Sequence, residues 1–293
     1  MSLQTTSTKA PAIAPSNESL RALADLVQVV NDRLNQYYQH WLAHDRLQIA
    51  SKLDESPITE ADLAAHDMIE QCLQTMTPDI PILSEESSSF DGRHDWRHFW
   101  LVDPLDGTRE FINKTGEFTV NIALIAHGNV VLSIIGVPTL HRIYIAEKAG
   151  PVYRVDTSDT GQHWFIINPA AVETLQPWRV AITRRSDRPA YNEFKQLLTA
   201  TGQVFSIKNA GSAYKFCLMV EGEIDIYPRL HPTSEWDTAA GQGLLEAIGG
   251  GVYDVHGRPF RYNQRDVLLN DHFVAVRSNV YREQALQVAQ QLK

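Results

Sequence analysis

The chain has 293 residues and a formal net charge of -9, enough length for one large domain or two packed halves around a sizeable core. The negative balance weighs against nonspecific nucleic-acid binding, which needs basic patches to neutralise phosphates. The two cysteines, Cys72 and Cys217, are far apart and lack a CxxC or histidine partner, which weighs against a disulfide framework or a zinc site. No apolar run approaches the ~20 residues of a membrane span, and the N-terminus has no charged-then-apolar signal pattern, so a cytoplasmic protein is expected.

Residues 1–15, rich in Thr, Ser, Ala and Pro, read as a flexible tail. Asn17 or Ser16 can cap a long helix in which Leu20, Leu23, Leu26, Val27 and Val30 recur at helical spacing, running to about His44. A second amphipathic helix follows Pro57 and stops near Thr77-Pro78. Thr59 is its natural N-cap and Asp62 its third residue, the pattern of a capping box, so capping alone could account for Asp62. Ile80 to Leu83 predict a short strand that delivers Ser84-Glu85-Glu86-Ser87. A Glu pair at such a place is usually a solvated loop, an account that fits Glu86 better than Glu85.

Next comes Phe99-Trp100-Leu101-Val102-Asp103-Pro104-Leu105-Asp106-Gly107-Thr108, an apolar run that stops at two carboxylates, a proline, a glycine and a threonine. Phe99 to Val102 predict a buried strand with Asp103 at its carboxyl end. Pro104 biases Asp103 away from the helical region, so the chain turns and the Leu105 carbonyl is left outside any ladder. A free carbonyl between two carboxylates is a hard-oxygen set suited to Mg²⁺. Gly107 and Thr108 then start a helical turn whose unpaired N–H groups favour an anion. A plain strand-end turn would use the same residues. A calcium loop lacks its alternating acidic pattern here, and an aspartyl-nucleophile phosphatase places its carboxylates two residues apart rather than three.

Runs from Phe118 to Ala126, Val130 to Gly136, Arg142 to Ala146, Val152 to Val155 and Trp164 to Ile167 predict an antiparallel meander. From Val180 onward strands and helices alternate, which places a boundary near Gln176-Pro177 and divides the chain into 16–176 and 177–293. Within the second part, Trp236-Asp237-Thr238-Ala239-Ala240 precedes a small-residue helix, where Asp237 could simply complement the helix dipole.

Taken together and in this order, Ser84-Glu85-Glu86-Ser87, Asp103-Pro104-Leu105-Asp106-Gly107-Thr108 and Trp236-Asp237-Thr238-Ala239-Ala240 resemble the Mg²⁺-dependent, lithium-sensitive phosphatases of the inositol monophosphatase superfamily. Within it, the stretch Lys52 to Asp62, Gly211-Ser212-Ala213-Tyr214-Lys215-Phe216-Cys217 and Tyr227-Pro228-Arg229 are most similar to the CysQ-type 3′(2′),5′-bisphosphate nucleotidases, which convert 3′-phosphoadenosine 5′-phosphate to AMP and phosphate. The resemblance implies an α/β protein with an α+β first half and an α/β second half, layered as an α/β/α/β/α sandwich. It implies that Glu85, Asp103 and the Leu105 carbonyl hold one Mg²⁺, that Asp103, Asp106 and Asp237 hold a second, and that a weaker third ion lies near Glu85. Asp62 and Thr108 would orient and deprotonate the attacking water. Ser84 stands where such proteins carry Gly, which bears on how Glu85 reaches the metal. For the substrate's second phosphate, Ser212, Lys215 and Arg229 are the polar candidates, with Gly211 opening a helix as an anion site and Arg184 and Arg185 in reserve; Gly107, Thr108 and Asp237 are also expected to contact the substrate, and cations at element ends are otherwise usually solvated. The partner implied is a small phosphorylated nucleotide, with inositol phosphates or fructose 1,6-bisphosphate as rival substrates and a noncatalytic binding protein as the rival of another class. The enzyme would be a monomer or homodimer, cytoplasmic or peripheral on the inner membrane.

Overall fold

The computed structural model describes residues 17–52, 57–158, 160–169, 177–184 and 189–292. The expected tail at 1–15, residues 53–56 of the stretch after Lys52, and Arg185 lie outside the described residues, and the expected boundary at 176/177 falls at the edge of another such stretch. In chain order the elements are α1 (Glu18–His44), β1 (Ile49–Ser51), β2 (Pro57–Thr59), α2 (Glu60–Met76), β3 (Ile82–Ser84), β4 (His98–Asp106), α3 (Thr108–Ile112), β5 (Thr119–Ala126), β6 (Asn129–Val137), β7 (Arg142–Glu147), β8 (Val152–Ser158) and β9 (Gly161–Ile167). The second half adds β10 (Trp178–Ile182), α4 (Pro189–Ala200), β11 (Phe205–Asn209), α5 (Tyr214–Val220), β12 (Ile226–Arg229), β13 (Thr233–Ser234), α6 (Ala239–Ala247), β14 (Gly251–Asp254), β15 (Leu269–Asn270), β16 (Phe273–Val276) and α7 (Arg282–Ala289).

Two sheets organise the chain. One has seven strands in the order β3-β4-β5-β6-β7-β8-β9, antiparallel throughout except for the parallel β3–β4 pair. The other has five, in the order β11-β10-β12-β16-β14. Period-2 alternation decides which residue faces which layer. Along β4, Trp100 and Val102 join the cluster that contains Leu23, Val27, Val30 and Leu34 of α1 and Ile69 and Leu73 of α2. Phe99 and Leu101 point the other way, into a cluster with Phe216 of α5, Leu244 and Leu245 of α6, and Tyr227, Ala275 and Val252 of the five-stranded sheet. The far face of that second sheet, with Val180, Ile226 and Val274, packs on Phe194 of α4 and Leu286 and Val288 of α7. The result is the expected α/β/α/β/α sandwich, and it explains why β4 reads as a continuous apolar run: both of its faces are covered. Each fully buried large apolar side chain contributes about 1.5–3 kcal/mol, so these three clusters, rather than helix propensity, hold the layers.

Candidate active site

The site grows from an irregularity in β4. Asp103 pairs with Asn121 and Asp106 with Thr119, so three steps on β4 face two on β5, a bulge centred on Pro104, which has no N–H to give a ladder. The strand therefore does not end at Asp103 as expected; it continues to Asp106, because the bulge absorbs the turn without breaking the pairing. The Leu105 carbonyl accepts the Thr108 hydroxyl at 3.3 Å. The Leu105 N–H donates to Asp103 Oδ1 at 3.1 Å, which fixes one carboxylate oxygen.

Glu85 reaches the same place because β3 runs parallel to β4 with Ser84 opposite Val102, and the Glu85 N–H donates to the Val102 carbonyl at 3.0 Å. Ser84 sits in regular strand and is absent from the positive-φ residues, so the position does not require glycine; its hydroxyl lies 3.0 Å from His66 Nδ1. Glu86 departs from the solvated-loop account. Its side chain is only 5% exposed, because Lys52 Nζ bridges it and Glu85 at 2.7 and 2.6 Å. Asp237 enters from the second half, on a short 3-10 turn ahead of α6 rather than in that helix's first turn, and its Oδ2 accepts the Ser234 N–H at 2.9 Å.

Glu85, Asp103 and Asp237 each bring a carboxylate oxygen within 4.8 Å of one another. Asp106 stands beside this trio; one of its oxygens accepts the Ala213 N–H and, at 3.4 Å, Asn121 Nδ2. Burial, then Glu85, Asp106, Asp237 and Asp62, raise the Asp103 carboxyl well above its usual range. Asp237 is pushed up to about 8, by burial first and then by Asp106 and Glu85. Burial also raises Glu85 against the opposing pull of Lys52, and raises Asp106 against that of Lys215. Several carboxylates so placed cannot all ionise unless a cation joins them, and a donor set of carboxylate and carbonyl oxygens suits a hard divalent ion.

Asp62 has two tasks, one for each oxygen. Oδ2 accepts the Thr59 N–H at 2.8 Å and the Thr59 hydroxyl at 2.5 Å, closing the capping box of α2. Oδ1 accepts the Thr108 hydroxyl at 3.0 Å. The capping account and the catalytic one are therefore compatible. Burial raises the Asp62 carboxyl, and the bonds from Thr59 and Thr108 oppose that rise.

Beside the carboxylates lies a cleft of ≈ 270 Å³ whose lining includes Asp106, Asp237, Arg109, Arg184, Lys215 and Arg229. Gly107 turns the chain into α3 at φ +93°, where a Cβ would lie 3.0 Å from Ser212 Cβ. The candidate cations divide. Lys215 is buried and donates to the carbonyls of Ala210 and Ser212 at 3.2 and 2.6 Å, so two of its three protons organise the turn before α5. Arg184 is held in a two-point pair with Glu117. Arg229 donates to the Tyr227 hydroxyl at 3.3 Å, while its buried Nε has no hydrogen-bond partner among the described residues. Sequence reasoning gave no role to Lys52, Glu117 or Asn121. Asn121 becomes visible only once the β4–β5 register is known, and Lys52 only once its ammonium is found between the two glutamates.

The sequence profile of the inositol monophosphatase family matches residues 16–292. A 3′(2′),5′-bisphosphate nucleotidase CysQ from Escherichia coli is 40% identical over 255 residues, covering 87% of this chain and 98% of the relative. The CysQ nucleotidase of Haemophilus influenzae is 34% identical over 245 residues, 83% of this chain and 87% of the relative. Among solved structures, CysQ from Bacteroides thetaiotaomicron, a bacterial member of the inositol monophosphatase family, superposes with a TM-score of 0.73 at 31% identity, covering 89% of this chain and 97% of that one. With its layers, its carboxylate cluster and these likenesses in agreement, the chain belongs to the inositol monophosphatase family.

Proposed function

We propose that the protein is a Mg²⁺-dependent phosphomonoesterase that hydrolyses the 3′-phosphate of 3′-phosphoadenosine 5′-phosphate to AMP and phosphate. The observation that carries this reading is the Thr108 to Asp62 hydrogen bond beside the converging oxygens of Glu85, Asp103 and Asp237. Glu85, Asp103, the Leu105 carbonyl, Asp106 and Asp237 would hold the ions. Once bound, Mg²⁺ supplies charge neutralisation for the phosphate and a lowered pKa for a coordinated water. Li⁺, which prefers the same hard oxygens, would inhibit by competing for them.

The chain's own residues then handle the proton. Because the Thr108 hydroxyl donates to Asp62, its oxygen presents lone pairs that can accept from the attacking water and orient it. The water proton passes to Thr108 Oγ1 as the Thr108 proton passes to Asp62 Oδ1, and the resulting hydroxide attacks phosphorus as the P–O bond to the ribose breaks; the departing ribose oxygen takes a proton from solvent to become the product hydroxyl. A carboxyl raised by burial is a better base than an exposed aspartate, because its pKa lies nearer the working pH. The capping bonds from Thr59 keep Asp62 in place throughout, so little reorganisation accompanies the step.

The substrate class is supported by the names of the relatives and by the cleft. A second phosphate needs donors, and Arg229, whose side chain lines the cleft, is a better candidate than Lys215, two of whose protons are committed to carbonyls. Ser212 lines the same cleft, and Gly107, Thr108 and Gly211 are further candidates for contact with the substrate. The test is phosphate release from 3′-phosphoadenosine 5′-phosphate, inositol 1-phosphate and fructose 1,6-bisphosphate, each with Mg²⁺ and with EDTA. Mg²⁺-dependent release greatest from the nucleotide is expected; preference for either of the other two would overturn the substrate reading.

A further inference from the structure

We infer that Glu117 is a positioning residue for Asp106, acting through the turn that precedes α5; the inference rests on the reading of the carboxylate cluster as a metal site. Glu117 comes from the first half of the chain, just ahead of β5, yet both of its side-chain oxygens are used by the second half. Oε2 accepts the Gly211 N–H at 2.7 Å and Arg184 Nε at 2.8 Å, and Oε1 accepts Arg184 Nη2 at 2.5 Å. Two residues beyond Gly211, the Ala213 N–H donates to Asp106. The Gly211–Ala213 turn is thus gripped at one end by Glu117 and itself grips a carboxylate of the cluster at the other.

The turn needs that grip. Ser212 holds φ at +43°, a left-handed conformation that costs a non-glycine residue free energy and persists only when the surroundings over-determine it. They do so from two further sides. Lys215 Nζ holds the carbonyls of Ala210 and Ser212, and a Cβ on Gly211 would lie 2.5 Å from Glu110 Cγ, so the turn is pressed against α3. The Glu117 carbonyl also borders the metal loop, where a Cβ on Gly107 would approach it to 3.1 Å. One residue therefore touches both the loop that carries Asp106 and the turn that orients it. Small displacements at such a place matter, since about 1 Å of misplacement can cost ~10²-fold in rate.

Because Arg184 and Gly211 share the carboxylate, substitutions separate their contributions. Glu117→Gln keeps an oxygen for the Gly211 N–H, Glu117→Ala removes it, and Arg184→Ala leaves the Gly211 bond intact. The experiment measures the Mg²⁺ concentration that half-maximally raises the melting temperature of the substrate-free protein, then kcat and KM at saturating Mg²⁺. Glu117→Ala is expected to raise the Mg²⁺ requirement and lower kcat by about 10-fold or more, with KM changing less. Glu117→Gln and Arg184→Ala should stay close to wild type in their Mg²⁺ requirement. A wild-type Mg²⁺ shift that Glu117→Ala leaves unaltered overturns this inference alone, as does equal loss in Glu117→Gln and Glu117→Ala, which would assign the effect to charge. A wild type with no Mg²⁺ shift overturns the metal reading and this inference with it.

Discussion

Thr108 donates its hydroxyl proton to Asp62 Oδ1 at 3.0 Å, while Asp62 Oδ2 accepts the Thr59 N–H that starts α2. The same side chain thus caps a helix and holds Thr108, so in the proposed mechanism the helix cap would fix the aim of the base. That arrangement separates catalysis from stability at a single residue.

In Asp62→Asn the amide oxygen can still accept the Thr59 N–H, but its NH₂ then faces Thr108 and reverses that hydrogen bond. The expected outcome is a fall in kcat of about 10²–10⁴-fold, the usual contribution of a positioned general base, with a melting temperature near wild type. Asp62→Ala should lose the cap as well, at a further ~1 kcal/mol of stability. Steady-state kinetics beside thermal denaturation check both; an active Asp62→Asn protein contradicts the role given to Asp62.

Removing metal should make stability depend on pH in a particular direction. Asp237 rises from its ordinary 3.8 to about 8 in the folded protein, and Glu85, Asp103 and Asp106 are raised as well. The folded state then binds more protons than the unfolded chain between those values, so stability is fully present below about pH 4 for this group and is lost as pH rises through about 8. In EDTA the melting temperature is therefore expected to decline on going from pH 5 to pH 8, and Mg²⁺ should restore most at the alkaline end. Melting curves across that range test it, and an EDTA profile that rises toward pH 8 contradicts it.

Asp225 shows the opposite behaviour. Burial alone would raise its carboxyl, but the bonds from Arg179 and Arg277 outweigh burial and lower it. Its contribution is present above the ordinary carboxyl value and is lost as pH falls through the depressed one. Arg277 is only 4% exposed, so Asp225→Ala removes the carboxylate partner of a buried guanidinium and should cost about 3–5 kcal/mol. Chemical denaturation at pH 7 and at pH 3 checks this, with the gap from wild type expected to narrow in acid.

Arg229→Ala removes a guanidinium that lines the cleft. A hydrogen bond to a charged group is worth about 1.5–3 kcal/mol, so KM for 3′-phosphoadenosine 5′-phosphate should rise by roughly 10- to 100-fold. A substrate lacking the 5′-phosphate should be less affected. Equal change for both substrates would show that Arg229 does not recognise the second phosphate.

Local patterns were legible because local physics sets them. The Thr59 and Asp62 capping box, the long helix from Asn17, the meander and the alternation after Val180 all follow from caps, periods and turn residues. The convergence of Glu85, Asp103 and Asp237 was not legible from residue chemistry alone, since each has a plausible local task; only their order along the chain, compared with a family, pointed to a shared site. Strand ends were misjudged where tertiary pairing overrode local signals, as when β4 continued past Pro104 through a bulge. Long-range partners such as Glu117 with Gly211, or Lys52 with Glu86, depend on register and layer packing that no local pattern encodes. Among the described residues no helix is long and apolar enough to cross a membrane, in line with the absence of long apolar runs.

In the proposed mechanism, buried carboxylates from both halves of the chain hold a divalent cation that drives ester hydrolysis. The initial rate of phosphate release from 3′-phosphoadenosine 5′-phosphate during a Mg²⁺ titration of the wild type and Asp103→Asn reads this out. No release is expected in EDTA, with a saturable rise on adding Mg²⁺ and a loss of at least ~10²-fold in Asp103→Asn at limiting Mg²⁺, the scale of removing a preorganised electrostatic element. Undiminished release in EDTA, or an Asp103→Asn protein that turns over like wild type at limiting Mg²⁺, would contradict it.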